Sequence, residues 1–143
     1  MTIKFVNKGK YILTCILGLF FSSAFSQQII SESIQTSIIN LISSPEKYDN
    51  KRIIIKGFLS LEKENYCIYL TKDDLTYRNT KNSIFLLLSY DIINTLYKQN
   101  LNGAYIEVLG QYVIPKIETS QKIYKIYGGV LNNIEDIHKV EVY

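Results

Sequence analysis

The chain has no tryptophan, one histidine, two cysteines and two prolines in 143 residues. Each scarcity excludes something. Without tryptophan, any stacking surface must be built from tyrosine or phenylalanine. A single histidine, His138, with no second ligand motif beside it argues against a zinc centre. Two prolines and seven glycines exclude a collagen-like or linker sequence. Neither charge sign dominates, at 16 basic against 13 acidic residues. There is no Gly-x-Ser-x-Gly elbow, glycine-rich phosphate loop or DxDxDG cation loop. The sequence therefore carries no catalytic motif, and we read it as not an enzyme, with no cofactor.

The N-terminus is organised as an export signal. Lys4, Lys8 and Lys10 precede an apolar run over residues 11–21, followed by the small residues Ser22, Ser23, Ala24 and Ser26. Basic, apolar and small-residue regions in that order form a secretory signal peptide. Cleavage is expected between Ser26 and Gln27. The apolar run falls short of the roughly 20 residues that a spanning helix needs. Thr14 precedes Cys15, where a lipidation motif requires a small residue, and the apolar run continues beyond it. The expected destination is the periplasm or the extracellular space, through a Sec-type signal.

Removing residues 1–26 also removes the three lysines that make up the +3 net charge. Nucleic-acid binding depends on clustered positive charge, so the balanced remainder argues against such a partner. Cys67 becomes the sole cysteine, and no intramolecular disulfide can form. Its alternating surroundings, Tyr66-Cys67-Ile68-Tyr69-Leu70, place it on a strand as a small buried residue. At 47% hydrophobic and 20% charged, the chain has the composition of one folded domain.

Periodicity then gives the element order. Residues 27–50 form a lead-in and an amphipathic helix, with Ile34, Ile38, Leu41 and Ile42 on one side and Ser31 or Ser33 as its cap. Ser44-Pro45 opens a second short turn. Residues 51–143 form the main domain. Arg52–Leu61 alternates as a strand interrupted by Gly57, and residues 66–71 return as its hairpin partner. A polar excursion over 72–83 follows, with Thr71 as a cap. Ile84–Leu88 is a third strand, Asp91–Gln99 a helix, and Tyr105–Val113 a fourth strand. Residues 122–131 are the fifth. Residues 134–142 either extend it past Asn132-Asn133 or pack back as an edge.

The order β-β-β-α-β-β after a leading helix is that of a five-stranded OB-fold-like barrel, a mainly β (α+β) architecture. The stretch with Pro45, Tyr48, Asp49, Asn50, Lys51, Ile53, Ile55, Gly57 and Phe58 resembles short uncharacterised exported bacterial proteins with such a core. Glu62, Tyr69, Thr71, Asp73 and Asp74, then Asn102-Gly103 and Val108-x-Gly110, continue the resemblance over residues 41–133. It implies an OB-like fold and export, and no established activity. The pattern is more distantly similar to anticodon-binding-like OB domains, whose partner the charge balance opposes.

OB barrels bind on the face of their second and third strands. Tyr66, Tyr69, Tyr77, Arg78, Lys81 and Asn82 fall on that face or in the excursion beside it. Tyrosines there offer flat stacking area with a polar tip, suited to a glycan, peptide or other oligomer. Glu62, Glu64, Asp73 and Asp74 are the weaker candidates, as a carboxylate cluster near the first hairpin. The expectation is a monomeric binding module for a ligand in the cell envelope, with no transmembrane span after cleavage. The alternative is an interaction or structural domain that uses a strand edge or the N-terminal helix.

Overall fold

The computed structural model describes residues 32–63, 65–115 and 127–141. The expected signal peptide, with Ser26 and Gln27, lies outside them. Among the described residues no helix is long and apolar enough to cross a membrane.

The chain opens with β1 (Ile34–Gln35) and then α1 (Ile38–Ser43). This corrects the expected helix from residue 31. Ile34 does not join the helical face; it pairs in parallel with Ile53, and the Thr36 amide donates to the Ile54 carbonyl at 3.0 Å. The cap is Ser37, whose hydroxyl accepts from the Asn40 amide at 3.2 Å. A hydroxyl in that position satisfies one of the amides a helix start leaves free. Ser33 precedes β1, and Ser31 lies outside the described residues. Pro45–Lys47 is a single 3-10 turn, and the Asn50 amide after it donates to Tyr112 at 2.8 Å.

β2 (Arg52–Glu62) is the longest strand and has two partners. Residues 52–58 pair antiparallel with β5 (Tyr105–Val113), and residues 58–62 pair antiparallel with β3 (Asn65–Tyr69). Gly57 sits where the partners change. A methyl group there would stand 2.4 Å from the Tyr69 carbonyl oxygen and 2.8 Å from Ile68 Cγ1. The strand can serve both neighbours only because this residue has no side chain.

After β3 come α2 (Lys72–Thr76), a 3-10 turn at Thr80–Asn82, and β4 (Ser83–Leu86). β4 ends two residues short of expectation, and Leu87 is 53% exposed. α3 (Tyr90–Lys98) is capped by Ser89, and β5 follows it. β6 (Val130–Lys139) pairs in parallel with β4 and antiparallel with β5. Most of the expected fifth strand at 122–131 lies outside the described residues. The pair Asn132-Asn133 does not end the strand. The β5–β6 register shifts between Leu109 and Gln111, and Asn133 takes a positive φ of 44°, so the irregularity stays inside one strand.

The result is a mainly β sheet of six strands, one more than expected. Its pairings run β2–β3–β4–β6–β5 and back to β2, with β1 added beside β2. The interior holds Ile53, Ile55, Leu59, Ile68, Leu86 and Val108, all fully buried. Each aliphatic side chain of this kind contributes about 1.5–3 kcal/mol when removed from water. Ile38 and Leu41 of α1 and Leu96 of α3 join the same cluster.

Candidate functional site

Where β5 stops pairing with β2, the exit of α3 takes over the open edge. The Leu59 amide donates to the Ala104 carbonyl at 2.9 Å, and the Gly103 amide to the Leu59 carbonyl at 2.8 Å. The Leu61 amide donates to Asn102 Oδ1 at 2.8 Å, and Tyr97 Oη donates to the Leu61 carbonyl. An asparagine side chain and a phenol thus stand in for a neighbouring strand. They fix α3 against the last turn of β2.

The next residue, Glu62, ties in the polar excursion. Arg78 reaches its carboxylate at 3.0 Å. Arg78 stops α2 at a positive φ of 53°, a position at which glycine or asparagine is the usual residue. Beside it Tyr77 is 81% exposed. Tyr90 and Tyr97, at 76% and 48% exposure, lie seven residues apart on α3 and share one face. Arg78, the sequence neighbour of Tyr77, and Tyr97 are therefore both anchored at the Leu61–Glu62 end of β2, one residue apart.

The expected site residues divide. Tyr77, Arg78 and Lys81 are exposed, as a binding surface requires. Tyr66 is half-buried and packs against the core. Tyr69 is fully buried and offers no stacking face. Burial pushes its phenol up to about 12, with the side chains of Asn65 and Cys67 as its polar neighbours. Its neighbours on that side of the sheet, Ser60, Cys67 and Ser83, are closed from solvent as well. Desolvation raises the Cys67 thiol to about 11, against the reactive low-pKa state of a catalytic cysteine.

Asn82 is committed internally. It donates to Asp74 Oδ1 at 2.8 Å, Asn79 donates to the same oxygen at 2.9 Å, and the Thr71 hydroxyl donates to Oδ2 at 2.6 Å. Thr71 also accepts from the Asp74 amide at 3.0 Å, the reciprocal pattern of a capping box. Burial opposes the Asp74 charge, but the bonds from Thr71, Asn82 and Asn79 outweigh it and hold the carboxyl below its ordinary range. Asp74 is thus the internal brace of the excursion that presents Tyr77 and Arg78.

The expected carboxylate cluster does not assemble. Glu62 is occupied by Arg78, Asp74 turns inward, Asp73 stays on the surface, and Glu64 lies outside the described residues. No group of three or more potential metal ligands occurs among the described residues. His138 belongs to a different surface. It meets Asp136 at 2.8 Å and Glu107 at 3.7 Å, and Glu107 pairs with Lys56 at 3.2 Å. Lys56 and Glu62 are roughly 20 Å apart along β2. Arg52 and Glu135, bonded at 2.7 Å, complete this charged outer face of β2, β5 and β6.

Two contributors were missed from the sequence, Tyr97 and Asn102. In the sequence Tyr97 falls inside the expected helix Asp91–Gln99, and Asn102 enters only through the Asn102-Gly103 pair of the resemblance. A tyrosine late in an amphipathic helix does not disclose that its hydroxyl reaches a strand carbonyl. The Thr71-x-x-Asp74 spacing was a usable signal for the capping box.

No protein family matches the chain, and no curated protein matches it in sequence. Among solved structures, a crystal structure described as an aspartyl-tRNA synthetase from Leishmania major Friedlin is similar, at 9% identity and a TM-score of 0.41. The match covers 90% of this chain and 26% of that one, so the chain spans about a quarter of that protein's length.

Proposed function

We propose that this chain is an exported OB-fold-like module that binds a ligand without catalysis, using the surface around the end of β2. The observation that carries this reading is Arg78. A non-glycine residue at positive φ carries a strain of about 1 kcal/mol. Here it directs a guanidinium to Glu62, and the preceding residue in the chain, Tyr77, is open to solvent. Strain retained at an exposed site points to use of the side chain. With Tyr97 close by, the surface has stacking area, a donor fork and an acceptor. That set suits a glycan, a peptide or another oligomer of the cell envelope.

The ring order β2–β3–β4–β6–β5, with β4–β6 as the parallel pair and α3 leading into β5, supports a five-stranded barrel of OB type. The sequence order of residues 1–26 supports export, to the periplasm or beyond the cell. The resemblance to exported bacterial proteins agrees with both, and we take the domain to be monomeric. A second reading has its own support. β1 is an edge strand among the described residues, and Ile34 and Ile39 near it are 37% and 56% exposed. Such an edge suits strand addition by a protein partner.

Two measurements test the proposal. Intact mass of the protein recovered from a bacterial envelope or medium should begin at Gln27; a retained leader or an added lipid refutes soluble export. Glycan and peptide arrays should give hits that Tyr77→Ala and Arg78→Ala both abolish. Hits that survive both substitutions but fail when Ile34 is replaced by lysine would favour the β1 edge instead.

A further inference from the structure

The turn that leads from α3 into β5 carries the chain's only Asn-Gly pair, Asn102-Gly103. Such a pair has a chemistry of its own. With no side chain on the second residue, its backbone nitrogen can approach the carbonyl carbon of the asparagine side chain. Both residues are exposed, so water has access to them. A methyl group built on Gly103 would meet nothing within 4 Å, which leaves room for a ring to close.

The fold instead restrains the reacting atoms. Asn102 and Gly103 are the middle residues of a turn closed by the Ala104 amide on the Leu101 carbonyl at 3.0 Å, with Gly103 at a φ of 77°. The nucleophile is the Gly103 amide, and it donates to the Leu59 carbonyl at 2.8 Å. The electrophile is held as well, because Asn102 Oδ1 accepts from the Leu61 amide at 2.8 Å. Both partners of the reaction are therefore anchored on β2. Their protection comes from hydrogen bonds and turn geometry, since the pair itself is open to solvent.

We infer that Asn102 is a deamidation site, and that release of this turn from β2 sets its rate. In the released turn the Gly103 nitrogen gives up its proton to hydroxide and attacks Asn102 Cγ. The new N–Cγ bond forms as the Cγ–Nδ2 bond breaks, and Nδ2 leaves as ammonia with a proton taken from water. Water then opens the cyclic imide at either of its carbonyl carbons, leaving aspartate or isoaspartate at position 102. The aspartate product keeps an acceptor for the Leu61 amide. The isoaspartate product routes the backbone through the former side chain and lengthens the turn by one carbon, so Gly103 and Leu59 lose register. The reaction thereby loosens the end of β2 at which Tyr97 and Arg78 are anchored.

The purified protein, incubated at mildly alkaline pH in native buffer and in guanidinium chloride, tests this. Peptide mass mapping follows every asparagine until the native protein has converted measurably, and isoaspartyl methyltransferase detects the isoaspartate. In denaturant Asn102 should convert before any other asparagine. In native buffer its rate should be at least about tenfold lower, because release breaks two hydrogen bonds to β2. Tyr97→Phe keeps the ring and removes the hydroxyl that donates to the Leu61 carbonyl. It should raise the native rate about threefold, as for the loss of one hydrogen bond, and leave the denatured rate unchanged. The inference is overturned if the native rate is less than about tenfold below the denatured one, or if another asparagine converts first in denaturant. An unchanged native rate in Tyr97→Phe also overturns it. The comparison of the two buffers uses the parent protein, so it stands even where Tyr97→Phe fails to fold.

Discussion

Gly57→Ala should be among the most damaging one-carbon changes in this protein. The added methyl would lie 2.4 Å from the Tyr69 carbonyl oxygen, 2.8 Å from Ile68 Cγ1 and 3.0 Å from Ile38 Cδ1. The first contact is with backbone, which no rotamer change can relieve. β3 must move away from β2 where β2 passes from one partner to the other. Overpacking of a core costs about 1–3 kcal/mol, and a backbone obstruction belongs near 3. At about 4–8 °C per kcal/mol for a domain of this size, the melting temperature should fall by roughly 12–24 °C. Gly103→Ala is the matched control. Its φ of +77° disfavours a side chain, but nothing lies within 4 Å. It should cost about 1 kcal/mol, or roughly 4–8 °C. Thermal and urea denaturation followed by circular dichroism gives both numbers. A Gly57→Ala melting point within about 2 °C of the parent, or a larger loss for Gly103→Ala, would refute the account of how β2 joins two neighbours.

Three further outcomes are expected. Cys67, fully buried with its thiol raised to about 11, should be only about one part in a thousand thiolate at pH 8 and should react with a thiol reagent at the rate of unfolding; rapid labelling of the native protein contradicts this. Asp74→Ala should destabilise by about 2–3 kcal/mol, since it strips a charged acceptor from Thr71, Asn79 and Asn82. The Asp74 carboxyl is held below its ordinary value of 3.8, so its stabilisation is complete above that value and is lost as the pH falls through the lower folded one. Acid titration of stability should therefore be shallower in Asp74→Ala than in the parent, and equal slopes would argue against the brace. Asn102→Ala should cost about 1–2 kcal/mol by leaving the Leu61 amide unpaired, whereas a loss below about 0.3 kcal/mol in urea unfolding would mean that water replaces the side chain.

The strands that carry period-two alternation were legible in the sequence. Arg52–Glu62 and Tyr105–Val113 alternate buried and half-buried residues over most of their length, as read. The special role of Gly57 and the cap at Thr71 were also legible, because each residue type has a local physical reason to be there. β1 was not, since two residues hold no period and Ile34 also fits a helical spacing. β6 was legible only in part, because at Asn132-Asn133 a bulge and a chain break use the same residues, and of the two readings of 134–142 the structure takes the continuing strand. The candidate site was partly legible. Tyr77 and Arg78 followed from their loop position. Tyr66 and Tyr69 could not both face a ligand, because a separation of three residues puts them on opposite sides of a strand. The structure sends one towards the core and closes the other from solvent. Tyr97 and Asn102 act through contacts with residues 36 and 41 positions away, and no local pattern encodes such contacts.

The central claim is that ligand engages the surface at the end of β2. The most direct measurement is an amide NMR titration of the protein with a β-linked oligosaccharide such as chitohexaose, and in parallel with the strongest peptide from the array. The account predicts saturable shifts confined to residues 61–62, 77–78 and 97, absent in Tyr77→Ala. Shifts confined to the charged face of Lys56, Glu107 and His138, or none with either ligand, would contradict it.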